Sequence, residues 1–139
     1  MTKESEPVPN TTASAELVVS DGDLATTLTI STEDAFPAVF ATSRMIALME
    51  VASARLLLPF VGPGELSVGT RVDVVHSAAT PQGVTVSATA RYLGRDGKLF
   101  VFEVVANDDG GEIGRGKHWR AIISSERLVS GAAQRNRKV

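Results

Sequence analysis

The chain has 139 residues, 43% of them hydrophobic and 22% charged, with a formal net charge of −2. That is the size of one domain with a core of its own, and the charge gives no ground for nucleic acid as a partner. There is no cysteine, which excludes a thiol nucleophile, a disulfide frame and a cysteine-type zinc site.

Residues 1–14 are rich in Pro, Ser, Thr and Glu. They lack an apolar run, so they read as a disordered tail and not as a secretory signal. AELVVS and LATTLTI read as two short strands around the turn Asp21-Gly22-Asp23. STEDAFPAVF is a loop with two Phe and one Pro. The stretch ATSRMIALMEVASARLLLPF, residues 41–60, reads as a helix. Met45, Leu48, Met49, Ala52 and Leu56 recur at helical spacing, and the helix stops at Pro59. Ile46, Ala47, Val51, Ala54 and Leu57 cover most of its other faces, so burial nearly all round is expected. Arg44, Glu50 and Arg55 break the apolar run, so no membrane span is expected, and the cytoplasm is the default location.

After the exit loop VGPGEL the pattern becomes strands. SVGTRVDVVHSA places Val72, Val74 and His76 on one face. VTVSATARYL alternates, with Val84, Val86, Ala88, Ala90 and Tyr92 on one side. LFVFEVVAN is more continuously apolar, as in a strand covered on both faces. EIGRGKHWRAIIS closes the series. TPQG, GRDGK and DDGG are the turns between them. Residues 129–139 read as a frayed, basic, polar tail, which leaves 15–128 as the domain.

Short strands, one long helix and four strands on tight turns predict an α+β chain. An antiparallel five- or six-stranded sheet wrapped around one long central helix satisfies the pattern, which is the hot-dog fold. Such a sheet keeps open edges, so a homodimer with a continuous sheet is expected.

Glu50 is the conspicuous side chain. Its neighbours three and four residues away are Ala47, Ile46, Ser53 and Ala54, and none is a charge partner. A sheltered carboxylate needs a distant cation, such as Arg71, Arg91 or Arg120, or a chemical role. His76 on an apolar face is either packed polar core or a titrating partner for Glu50. Thr42 reads first as the helix N-cap and second as a group at a helix start that faces a carbonyl oxygen. Eight residues of helix separate Thr42 from Glu50, or about 12 Å along the axis. If both serve one site, either Thr42 folds off the helix or the two come from different subunits. Gly69 marks a bulge or a close backbone approach. Gly114, Gly116, His118, Arg120 and Ile122 share one strand face, where Arg120 is a candidate partner for Glu50 and His118 is ordinary polar packing. Phe36 is either core or a cover for the site, and Phe40 is core. No spaced ligand cluster suggests a metal, and no phosphate loop, dinucleotide fingerprint or nucleophile elbow is present.

FPAVFATSRMIALMEVA, VGTRVDVVHSAATPQGVTV and EIGRGKHWRAII together resemble the fluoroacetyl-CoA thioesterase family of hot-dog proteins, from Phe36 to Ile123. The resemblance implies hydrolysis of a short acyl-CoA thioester, with CoA as part of the substrate and no cofactor. It gives Thr42, Glu50 and His76 the catalytic positions. It sets the Gly69 amide toward the thioester, Arg120 beside the acyl pocket, and Phe36 over the acyl group. Fluoroacetyl-specific members carry a further aromatic just upstream, where this chain has Ser31, Thr32, Glu33, Asp34 and Ala35. A general short-chain acyl-CoA thioesterase is therefore expected. A non-catalytic acyl-CoA-binding hot-dog protein and a hot-dog hydratase or dehydratase are the alternatives.

Overall fold

Period-two patterning and tight turns coincide over the last four strands in a computed structural model, which describes residues 6–137. The elements are β1 (Thr12–Val18), α1 (Thr42–Leu57), β2 (Glu65–His76), β3 (Thr85–Asp96), β4 (Leu99–Asp108), β5 (Gly111–Ser124) and α2 (Ser125–Arg135). The five strands form one antiparallel sheet in the order β1-β3-β4-β5-β2. β1 and β2 are therefore its edges. Gly97 closes the β3–β4 hairpin at φ +61°, a left-handed conformation that suits a residue without Cβ.

The concave face is built by alternation. β3 buries Val86, Ala88, Ala90 and Tyr92, and β4 buries Phe100, Phe102, Val104 and Ala106. Tyr92 faces Phe102 and Ala90 faces Val104 across the ladder, so these side chains form one apolar surface. α1 lies on it through Met45, Leu48, Met49, Ala52 and Leu56. Two glycines of β5 make room. A Cβ on Gly114 would stand 2.6 Å from the Met45 sulfur, and one on Gly116 would stand 2.1 Å from the Asp73 carbonyl oxygen. Gly114 thus admits the helix, and Gly116 admits the neighbouring strand. This is the hot-dog arrangement.

Several expectations are corrected. LATTLTI is not a strand: residues Asp21–Asp23 and Ala25–Leu28 form two 3-10 turns. The Asp23 carboxylate accepts from the Ser20 amide at 2.9 Å, and the Thr27 hydroxyl donates to the Leu24 carbonyl at 2.8 Å. These local bonds compete with a ladder and win. The first strand begins at Thr12, inside the segment read as disordered. Just before it, the Tyr92 hydroxyl donates to Glu6 at 2.5 Å, and the Asn10 amide donates to the Tyr92 carbonyl at 2.8 Å. Residues 1–5 of that tail lie outside the described residues. The boundary drawn at residue 129 falls inside α2. Ser124 caps that helix by accepting from the Arg127 amide, with Glu126 in the first turn and Arg135 in the last.

β4 also alternates more than its composition suggested: Val101 and Val105 are half-buried on the convex side. Nor is α1 buried all round in the single chain. Val51 stays 42% exposed, and Arg55 reaches solvent on the same side. Among the described residues no helix is long and apolar enough to cross a membrane.

Candidate active site

α1 starts beside the end of β2, and that junction makes the first polar pair. Ala41 is the N-cap; its amide donates to the Asp23 carbonyl at 2.9 Å, and its own carbonyl accepts from Arg44 and Met45 at 3.0 Å. The Thr42 hydroxyl caps nothing, which corrects the capping expectation. It lies 2.7 Å from His76 Nδ1 instead. The other ring nitrogen, Nε2, is buried without a hydrogen-bond partner. An unpaired buried polar atom costs about 1–3 kcal/mol, so this nitrogen favours any bound group that can pair with it.

Thr42 and His76 stand in the wall of a pocket of about 500 Å³. Leu28, Phe36, Val39 and Phe40 supply much of the rest, so the pocket is mainly apolar. Phe36 is 43% exposed at this pocket, whereas Phe40 is core. The loop before Phe36 holds no aromatic. The Asp34 carboxylate closes it as a turn, accepting from the Ile30 and Ser31 amides at 2.8 and 2.9 Å. The Asp23 carboxylate pins a neighbouring turn to α1, since Arg44 Nε donates to it at 3.1 Å.

The second cluster lies two turns along α1. Arg120 Nη1 donates to Glu50 Oε2 at 3.1 Å. Of the three arginines considered, Arg120 is the partner. Arg71 stacks over Trp119, 4.3 Å from the ring centroid, and Arg91 donates to Glu103 at 3.3 Å. The Arg120 side chain is 7% exposed and that of Glu50 is 43% exposed. Glu50 thus sits at the border of the buried stripe, and the sheltered partner is the guanidinium. Its other oxygen, Oε1, has no protein partner among the described residues.

Arg120 is held on three sides. Nε donates to the Ser67 hydroxyl and Nη2 to the Ser67 carbonyl, both at 3.0 Å. Nη1 also lies 3.0 Å from His118 Nε2. Gly69 faces this cluster from β2, where the register shifts between Gly69 and Arg71. A Cβ there would stand 3.0 Å from the His118 ring and 3.1 Å from Glu50 Oε2, so a larger residue would crowd both groups. His118 and Ser67 carried no signal beyond their place near Arg120 and Gly69. The shared face of His118 and Arg120 is the one feature that foretold their contact. Among the described residues no group of three or more His, Asp or Glu is placed to hold a metal.

Thr42 is the first helical residue and does not fold back. Within one protomer the Thr42–His76 pair and the Glu50–Arg120 pair therefore remain about two helical turns apart. The profile of the fluoroacetyl-CoA-specific thioesterases matches residues 24–126. The chain belongs to this family. A fluoroacetyl-CoA thioesterase from Streptantibioticus cattleyicolor is 44% identical over 100 residues, which is 72% of each chain. A solved structure of the fluoroacetyl-CoA thioesterase FlK superposes with a TM-score of 0.88 at 37% identity, covering 94% of this chain and 98% of that one. A threonine-to-serine variant of FlK, solved with acetyl-CoA, gives the same TM-score of 0.88 and 37% identity over 94% of this chain and all of its own.

Proposed function

We propose that this protein hydrolyses the thioester of a short-chain acyl-CoA, with Thr42, Glu50 and His76 as its catalytic groups. The observation that carries the reading is the buried, unpartnered Nε2 of His76 beside an apolar pocket, with Thr42 bonded to the other ring nitrogen. Membership in a thioesterase family supports it. The acyl group takes the apolar pocket under Phe36, and the Gly69 backbone amide faces the thioester. Glu50, pinned through Oε2 by Arg120, uses its free Oε1 to take a proton from water. The water oxygen adds to the carbonyl carbon, the carbon–sulfur bond breaks, His76 gives its Nε2 proton to the leaving thiolate, and the proton held by Glu50 returns to His76 as the acid leaves. The chemistry needs a carboxylate, an imidazole and water, so no cofactor enters it. A cytoplasmic location belongs to this reading, because CoA thioesters are an intracellular pool.

The reading requires a homodimer. The open edge of β2 runs for twelve residues, with Leu66 52% and Val75 65% exposed along it. Val51 on α1 and Leu58 just after it are 42% and 62% exposed. Pairing β2 with its copy extends the sheet and covers these residues. It also lays the two α1 helices side by side in opposite directions, so that Glu50 of one protomer meets the Thr42–His76 pair of its partner.

Release of free thiol from a panel of short acyl-CoAs, fluoroacetyl-CoA included, tests the activity with wild type beside Glu50→Gln. Turnover that vanishes in the variant is the expected outcome. Thiol release retained in the variant would remove Glu50 from the mechanism. No thiol from any substrate with wild type would leave a binding protein or a hydratase. In a single turnover in heavy-oxygen water, unlabelled acid or label left on Glu50 would mean direct attack by the carboxylate.

A further inference from the structure

The Glu50 carboxylate depends on Arg120, and Arg120 depends in turn on an imidazole that the mechanism does not use. His118 is 1% exposed on the concave face of β5. Its Nδ1 lies 2.8 Å from the Arg71 backbone carbonyl, and its Nε2 lies 3.0 Å from Arg120 Nη1. A carbonyl oxygen only accepts and a guanidinium only donates. The hydrogen must therefore sit on Nδ1, and Nε2 must present its lone pair. Any other protonation state sets lone pair against lone pair at Arg71, or N–H against N–H at Arg120. The two neighbours thus fix one tautomer between them.

The Arg120 inventory completes the picture. A guanidinium has five N–H donors. Nε and Nη2 are engaged at Ser67, and Nη1 serves Glu50 and His118. Without the His118 acceptor, Nη1 keeps one partner, the half-exposed carboxylate, and one N–H of a buried guanidinium is left unpaired.

We infer that His118 is a positioning residue: as the neutral Nδ1–H tautomer it accepts from Arg120 and so fixes the guanidinium that orients the Glu50 carboxylate. This rests on the catalytic reading of Glu50. The electrostatics agree. Burial pushes the His118 pKa below its ordinary 6.5, the Arg71 carbonyl opposes that shift, the Arg120 charge adds to it, and Glu50 opposes it. Arg120 and Glu50 are the charged groups that act on the ring.

Two measurements test the inference. Nitrogen-15 NMR of the full-length wild-type protein reads the His118 tautomer without any substrate. The expected signal is a neutral Nδ1–H ring at neutral pH that takes up its proton at lower pH than an ordinary histidine. An Nε2–H tautomer or an imidazolium at neutral pH would overturn the proposal. The kinetic arm uses two variants. His118→Asn keeps a donor for the Arg71 carbonyl but is too short to reach Arg120, and kcat is expected to fall about 10-fold or more with KM little changed. His118→Gln restores an acceptor at the right reach and regains most of that loss. A folded His118→Asn with wild-type kcat refutes the positioning role. If that variant does not fold, the tautomer decides alone. Wild type that releases no thiol defeats the thioesterase reading whichever tautomer is found, so the two failures are distinct.

Discussion

Thr42 and His76 meet in a single 2.7 Å hydrogen bond and leave one buried nitrogen unpaired, whereas Glu50 is one member of a network that ties Arg120 to Ser67 and His118. The first cluster is open toward a ligand and the second is closed against movement. This division suits groups with different tasks. An imidazole that gives up a proton needs a vacant position on the ring. A carboxylate that takes a proton from water needs a fixed direction, because misplacement by about 1 Å can cost about 100-fold in rate. β2 and β5 carry most of both clusters: Gly69 faces Arg120 near one end of the pair, and His76 faces Gly114 at the other.

The comparison breaks first at Glu50 and His76, the two groups proposed for proton transfer. Glu50→Gln and His76→Ala should each lower kcat by about 100- to 10,000-fold with the fold intact, checked by thiol release and circular dichroism. Mixing these two inactive variants then sharpens the relation between the clusters. If each site takes Glu50 from one protomer and His76 from the other, a mixed dimer carries one undamaged site. Random reassociation should return about one quarter of wild-type activity. A mixture that stays inactive would place both groups in one protomer.

Gly116→Ala acts on the frame that both clusters share. The added Cβ would meet the Asp73 carbonyl oxygen at 2.1 Å and the Val74 Cα at 2.6 Å, and backbone atoms cannot step aside cheaply. A loss of about 1–3 kcal/mol in denaturant unfolding is expected. Mild acid tests the closed cluster. The His118 pKa is lowered in the folded state, so the unfolded chain binds that proton first. Its contribution to stability is complete above about pH 6.5 and is lost as pH falls toward the lower folded value. A thermal melt series should show a smaller loss in His118→Gln, which has no imidazole to protonate. The smallest effect is on the open cluster. Thr42→Ala should leave stability within about 0.5 kcal/mol, because the hydroxyl caps nothing. Its kcat should fall about 10-fold, the value of one hydrogen bond to His76.

Much of this architecture was legible along the chain. The alternation of Val86, Ala88, Ala90 and Tyr92 specified a sheet face, and the spacing of Met45, Leu48, Met49 and Ala52 specified the helix stripe on it. Glu50 stood out because its own helix gave it no partner, and the choice of Arg120 followed from a strand face shared with two glycines. The segment from Leu24 to Ile30 misled. Its Thr and Leu residues favour a strand, but Asp23 and Thr27 bond the local backbone. Thr42 misled for the opposite reason: a capping residue type stood at a helix start, and a histidine 34 residues away took its hydroxyl.

The sequence by itself determined which residues alternate, where the chain turns, and that one carboxylate lacked a local partner. These are properties of neighbours along the chain, set by side-chain period and backbone preference. Only the tertiary structure decided that Ser67, Glu50, His118 and Arg120 form one network and that Thr42 and His76 form another. Strand register sets such contacts, and register depends on distant packing: Met45 seats against Gly114, and Asp73 against Gly116.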